Sequence, residues 1–127
     1  MNHVLIDTAI WIDYFNNGER YQIIENLIDS NLVVINEIIL SEILPPLIVQ
    51  NNKKIVDLLY GIHINHLQVN WDEIVDYQVK NIKNGINKVG IPDLLLLQNI
   101  IQNDFAMFTV DKHFELMSKI YKIRVIK

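Results

Sequence analysis

The sequence predicts an α/β fold: a three-layer α/β/α sandwich around a central, mostly parallel sheet of about four to five strands. Two observations carry that prediction. Short apolar runs such as Val4-Leu5-Ile6 and Leu32-Val33-Val34-Ile35 are unbroken; strands covered on both faces read this way, whereas half-exposed strands alternate. Between these runs lie segments with helical apolar spacing, so strands and helices succeed one another along the chain.

Val4–Ile6 reads as the first strand. Asp7-Thr8 can cap a helix whose Ile10, Trp11, Tyr14 and Phe15 share one face, and Asn16-Asn17-Gly18 ends it. A second helix is expected over Glu19–Asp29, with Ile23, Ile24, Leu27 and Ile28 as its stripe. Leu32–Ile35 forms the next strand. Asn36 caps a helix through Leu44, where Pro45-Pro46 is expected to break or bend it before the apolar pattern resumes to Val49. Lys54–Gly61 reads as a helix and His63–Val69 as a weakly alternating strand. Asp72–Asn84 is an amphipathic helix with Ile74, Val75, Val79 and Ile82 expected to face inward. A loop over Gly85–Gly90 leads to a helix from Asp93 to Asn103, a strand over Phe105–Thr109, a helix over Lys112–Tyr121 and a last strand over Ile123–Ile126. No repeat, linker or low-complexity stretch divides these elements, so one domain over residues 1–127 is expected.

Composition narrows the chemistry. The 127 residues include no cysteine, which excludes disulfides, a thiol nucleophile and thiolate metal ligands. That usage fits a reducing cytoplasm. No secretory signal is legible at the N-terminus, and no apolar run reaches the roughly 18 residues that span a bilayer. The net charge of −4 by itself disfavours a polyanionic partner.

Four of the acids alter that balance. Asp7 ends the first strand, Glu42 lies within Ile38-Ile39-Leu40-Ser41-Glu42-Ile43-Leu44, Asp93 precedes Leu94-Leu95-Leu96-Leu97, and Asp111 follows Phe108-Thr109-Val110. At about 100° per residue Glu42 projects between Ile38 and Ile39, and Asp93 between Leu97 and Ile100. A carboxylate in apolar surroundings costs several kcal/mol unless it is paired or binds a cation. Helix capping accounts for Asp7 or Asp111 singly. The four together, without obvious basic partners, point to one shared cation. Oxygen donors suit the hard ions Mg²⁺ and Mn²⁺, and such ions can clamp the attacking and leaving oxygens of a phosphoryl displacement. In an open parallel sheet a ligand site lies at the carboxyl ends of the strands, where Asp7 and Thr109–Asp111 fall.

Other candidates carry less. Glu37 suits the positive end of its helix. His3, His63, His66 and His113 lack the paired spacing of a zinc site, and His113 reads as a loop residue. Ser30, Ser41 and Ser118 stand in no nucleophile elbow, and there is no phosphate-binding glycine loop. Lys80, Lys83 and Lys88 read as a solvated edge, and Trp11 as core.

Four blocks in order resemble the PIN-domain family, in particular its small VapC-type toxins. They are Val4-Leu5-Ile6-Asp7-Thr8-Ala9-Ile10-Trp11-Ile12, Ile35 to Leu44 with Glu42, Ile91-Pro92-Asp93-Leu94-Leu95-Leu96, and Phe108-Thr109-Val110-Asp111-Lys112-His113-Phe114. The third block continues with Leu97, Gln98 and Asn99 where the family has small residues. The resemblance implies a Mg²⁺- or Mn²⁺-dependent endoribonuclease, the toxin of a toxin–antitoxin pair. Asp7 and Asp93 would hold the main ion, Glu42 and Asp111 complete the site, and Thr8 and Thr109 orient carboxylates as hydroxyl donors. It also implies an RNA substrate, a small antitoxin and a homodimer, with no membrane partner. The apolar residues Leu44, Leu47, Ile48, Val49, Ile55, Val56, Leu58 and Leu59 are the expected contact region, the alternative being two helices packed on each other. A non-catalytic interaction module, or a nuclease directed at DNA, would use the same fold.

Overall fold

The computed structural model describes residues 2–127. Five strands form one parallel sheet: β1 (Val4–Ile6), β2 (Val33–Ile35), β3 (His63–Ile64), β4 (Ala106–Phe108) and β5 (Val125–Ile126). Their spatial order is β3-β2-β1-β4-β5. The unbroken apolar runs are explained by burial on both faces: every residue of β1, β2 and β4 is buried. The three-layer sandwich is therefore the architecture observed.

Among the described residues seven helices cover the sheet: α1 (Thr8–Phe15), α2 (Tyr21–Asp29), α3 (Glu37–Val49), α4 (Lys53–Tyr60), α5 (Trp71–Lys83), α6 (Ile91–Asn103) and α7 (Lys112–Met117). Parallel strands need crossover connections, and these are right-handed. The chain first winds outward from β1 to β2 and β3, with α1 packed on α2 and α3, and α3 on α4. It then crosses back to β4 and β5, with α5 packed on α6. The winding reverses between β1 and β4, so a crevice opens at their carboxyl ends.

Asparagine side chains start three of the helices. Asn36 Oδ1 accepts from the Ile39 N–H at 3.1 Å, Asn52 from Ile55 and Asn70 from Glu73. Asn36 is fully buried and also donates to Asn99 Oδ1 at 3.0 Å, while Asn99 donates to Asn65 Oδ1 at 2.8 Å. This chain of amides ties α3 and α6 to the loop after β3. Gln98 does the same for α5, meeting the Asn70 backbone through both ends of its amide and Glu73 Oε1 at 2.8 Å. The polar residues of the third block thus serve as buried bridges. Glu37 adds a further tie, accepting from the Leu67 N–H at 2.9 Å.

Several expectations need correction. Pro45 and Pro46 lie inside α3, which continues unbroken to Val49. The prolines free the carbonyls of Ser41 and Glu42, but both residues are exposed and water can serve them. The strand expected over His63–Val69 is only two residues long, because its single neighbour β2 ends at Ile35. On α5 only Ile74 of the expected inward set is buried; Val75, Val79 and Ile82 are 61%, 45% and 59% exposed. The side that faces the protein carries Ile74, the partly covered Tyr77 and the buried Asn81 instead. On α2, Ile23 lies outside while Ile24 is buried. In the middle of the chain Leu47 and Leu59 are buried, and Leu44, Ile55, Val56 and Leu58 pack against the core. Helix packing explains most of that cluster, leaving Ile48 and Val49 outside.

The two kinds of asparagine cap should differ in cost. Asn36→Ala removes a cap and strands the buried Asn99 amide, so it is expected to destabilise by about 2–3 kcal/mol. Asn70→Ala, at an exposed cap, should cost about 1 kcal/mol. Urea denaturation of the two variants measures the difference.

Candidate active site

The crevice between β1 and β4 gathers acids from four separate elements. Parallel pairing sets Ile6 opposite Phe108, and the Asp7 N–H continues the ladder by donating to the Phe108 carbonyl at 2.9 Å. Asp7 and Thr109 therefore leave the sheet side by side. The Thr109 hydroxyl, 1% exposed, donates to Asp7 Oδ2 at 2.7 Å and accepts from the Asp111 N–H at 3.0 Å. One buried hydroxyl thus fixes the first acid and the loop bearing the last.

Asp7 and Asp111 are also helix caps. Asp7 Oδ1 accepts from the Thr8 N–H at 2.8 Å, and Asp111 Oδ1 from the His113 N–H at 2.8 Å. Asp93 lies in the first turn of α6, with Pro92 just before it. Three helix N-termini therefore surround the crevice, and their dipoles favour the negative charges held there. Glu42 arrives from α3, and its Oε1 accepts from the Thr8 hydroxyl at 3.1 Å. It is exposed, not enclosed between Ile38 and Ile39: its helix position points to the crevice mouth, where no element covers it.

The strongest electrostatic tension falls on Asp93. Burial, then the negative charges of Asp111 and Asp7, push its carboxyl up to about 6, with a smaller contribution from Glu42 and an opposing pull from His113. The other three acids therefore all act on Asp93 across the crevice.

Donor atoms of Asp93, Asp111 and His113 lie within 4.8 Å of one another, close enough to share an ion. Asp7 and Glu42 stand outside that tight group, each already accepting from a threonine hydroxyl. His113 is the site residue that spacing alone did not disclose. It occupies the first turn of α7, not a loop, and its Nδ1 lies 3.8 Å from Asp111 Oδ1. The only clue in the sequence was its position two residues after Asp111. This set of two carboxylates and one imidazole could hold a divalent metal ion.

The model for the family described as PIN domain matches residues 4–120, and the chain belongs to the PIN-domain family. No curated protein sequence matches it. Among solved structures it is similar to a chain of the DNA-bound VapBC from Salmonella typhimurium, with a TM-score of 0.73 and 16% identity over 98% of this chain and 97% of that one. A chain of VapBC2 from Rickettsia felis, bound to a DNA fragment from their promoter, gives 0.72 and 17% over 96% of both. FitAcB from Neisseria gonorrhoeae gives 0.67 and 14% over 98% of this chain and 96% of that one. Identities this low speak for the shared fold.

Two outcomes follow from the site geometry. Thr109→Val keeps the volume but leaves the Asp111 N–H and one Asp7 oxygen without their partner, so it should destabilise by about 1–3 kcal/mol, with Thr109→Ser restoring most of the loss. Equilibrium unfolding checks this. The second concerns pH. A carboxyl raised from 3.8 to about 6 on folding contributes stability in full below 3.8 and loses it as pH rises through about 6. The displacement corresponds to about 3 kcal/mol unscreened, reduced to about 1 kcal/mol because Asp93 is partly open to water. In excess EDTA, Asp93→Asn should raise the thermal midpoint by about 4 °C near neutral pH and give no gain near pH 4. A gain that persists at low pH would refute the electrostatic origin.

Proposed function

We propose that the chain is a metal-dependent endoribonuclease, the toxin of a VapC-type toxin–antitoxin pair, folded as one PIN unit. The observation that carries this reading is the convergence of Asp7, Glu42, Asp93 and Asp111 at the β1–β4 crevice, with the Asp93 carboxyl pushed up by burial and then by its acidic neighbours. Carboxylates crowded in this way are relieved by a cation. PIN nucleases generally use divalent metals. The resembling structures are VapBC and FitAcB assemblies.

Asp93 and Asp111 would hold the ion, with His113 within reach, and Asp7 and Glu42 would complete the sphere directly or through water. A bound divalent ion lowers the pKa of a coordinated water and offsets charge on the phosphate. Thr109 and Thr8 keep Asp7 and Glu42 turned toward the crevice. The reaction is attack of a water oxygen on phosphorus with cleavage of one P–O ester bond, leaving a hydroxyl end and a phosphate end. The crevice is open at Glu42, which suits a single strand threading past.

The partner reading rests on a groove beside the same mouth. A cavity of about 280 Å³ is lined by Ile12, Phe15, Pro46 and Leu47, with Glu42 at its wall. Ile48 and Val49, 54% and 81% exposed, extend the apolar character of α3. An antitoxin segment laid there with apolar side chains would bring a basic residue to the acids and form charge-assisted hydrogen bonds. A homodimer of the toxin belongs to the same reading. Among the described residues no helix is long and apolar enough to cross a membrane, and a cytoplasmic site of action fits a nuclease that meets cellular RNA.

The test compares matched RNA and DNA single strands with Mg²⁺, Mn²⁺ or EDTA. Cleavage of RNA alone, dependent on the ion and abolished in a folded Asp93→Asn variant, is the expected result. Equal cleavage of DNA would favour the DNA-directed alternative, and no cleavage of either the non-catalytic one. Induced expression should arrest growth, and mapping 5′ ends of cellular RNA would identify the target.

A further inference from the structure

Lys88, in the loop between α5 and α6, stands against local preference. Among the described residues five other than glycine hold a positive φ: Asn17, Asn31, Asn51, Asp104 and Lys88. The first four are asparagine or aspartate, whose short polar side chains tolerate the left-handed region. Lys88, at φ 65°, has no such side chain. It also lies two residues before Gly90, the N-cap of α6, where the helix dipole disfavours a cation. Its side chain is exposed, and among the described residues it makes no ion pair.

The surrounding backbone explains how that conformation is held, not why a lysine occupies it. Gly85, at φ 76°, follows the end of α5, and the Ile86 N–H returns to the Asn81 carbonyl at 2.9 Å. Ile86 and Val89 are buried, and Gln78 Nε2 donates to the Val89 carbonyl at 2.7 Å. These ties fix the loop without the Lys88 side chain. An asparagine would make the same turn with less strain, as at Asn17, Asn31 and Asn51. Strain kept against local preference points to a functional position.

The loop leads directly into the acid crevice. Gly90 starts α6, and Asp93 lies in its first turn. Between Asp76 and Asp93 the chain has no acid, but it has Lys80, Lys83 and Lys88. Lys80 rests over the Tyr121 ring, 5.0 Å from its centroid, and the dipole accounts for Lys83 in the last turn of α5. Neither explanation reaches Lys88. Nor does it neutralise the crevice, because Asp93 stays raised and the opposing pull on it comes from His113. A polyanionic strand entering an acidic crevice, on a chain of net charge −4, needs a cation beside the acids and not bound among them. We propose that Lys88 is a substrate-binding residue, its ammonium holding a phosphate of single-stranded RNA next to the bond cut at the crevice. The proposal rests on the nuclease reading for the identity of the strand. A lysine meets phosphate as a point charge, so the contact positions the strand without reading its sequence. The anchored loop presents that charge with little further loss of backbone freedom on binding.

Fluorescence anisotropy of a labelled single-stranded RNA of mixed sequence tests it, on the Asp93→Asn protein so that binding is read without cleavage. Adding Lys88→Asn should weaken binding roughly 5-fold and flatten the slope of log Kd against log salt by about 0.7, the loss of one phosphate contact on a single strand. Lys88→Arg should keep the charge and most of the affinity. Lys54→Gln, which removes the same charge from α4, should change neither quantity. In the cleaving protein Lys88→Asn should raise KM and leave kcat nearly unchanged. Its thermal midpoint should rise by about 2 °C, since asparagine relieves the backbone, so stability is gained as binding is lost. Unchanged affinity in Lys88→Asn overturns the proposal, and so does an equal loss in Lys54→Gln, which would assign the effect to net charge. A lowered midpoint in Lys88→Asn overturns it too, because the lysine would then serve the fold. RNA binding that depends on Lys88, in a protein whose wild type cuts no RNA, refutes the nuclease reading and supports the contact. Cleavage by the wild type with no RNA binding by the Asp93→Asn protein overturns the contact and leaves the nuclease reading standing.

Discussion

The site depends on the register of β1 against β4. Because Ile6 pairs with Phe108, Asp7 and Thr109 emerge from neighbouring strands at the same level, and the Thr109 hydroxyl can bridge Asp7 to the Asp111 backbone. A shift of one residue would send Asp7 or Thr109 to the opposite face of the sheet, since side chains alternate along a strand. The register is secured by complete burial of Leu5, Ile6, Met107 and Phe108. The acid cluster is thus positioned by the packing of residues that take no part in its chemistry.

Around that fixed pair the fold accumulates like charge. Asp93 comes from α6 and Glu42 from α3, two helices joined beneath the surface by the Asn36–Asn99 hydrogen bond. Burial, and then the negative charges of Asp111 and Asp7, push the Asp93 carboxyl up, so a counter-charge at the crevice would ease the crowding. Helix N-termini soften the repulsion without removing it, because a dipole end carries only about half an elementary charge. Natural folds keep such strain where a ligand relieves it. Here it coincides with the crevice at which the winding of the sheet reverses, the usual place for a ligand in this architecture.

Apolar pattern and burial diverge most clearly on the helices. α6 is apolar along most of its length and buries Leu94, Leu96, Leu97 and Ile100 together with two amides. α5 has a well-separated apolar stripe, and that stripe faces solvent while Asn81 is buried, its amide meeting Met117 Sδ and the Tyr121 hydroxyl. Apolar spacing near 3.6 residues says that a helix has two sides. It does not say whether the apolar side meets this chain or another molecule.

The sequence alone determined the parallel sheet and the order of its elements, and it singled out Asp7, Glu42, Asp93 and Asp111 as candidate acids. Short unbroken apolar runs between turn signals mark strands covered on both faces, and a carboxylate interrupting them must be compensated. Local chemistry likewise disclosed the Asn36 cap of α3 and the Asp7 cap of α1. Tertiary structure decided the rest. It set Glu42 at an open mouth, carried α3 on past Pro45 and Pro46 to Val49, turned Val75, Val79 and Ile82 outward, and brought His113 within reach of Asp93 and Asp111. These outcomes turn on which neighbour happens to cover a given face, and for residues as distant as Asp93 and His113 that depends on how the whole chain packs. Periodicity along one element carries no information about it.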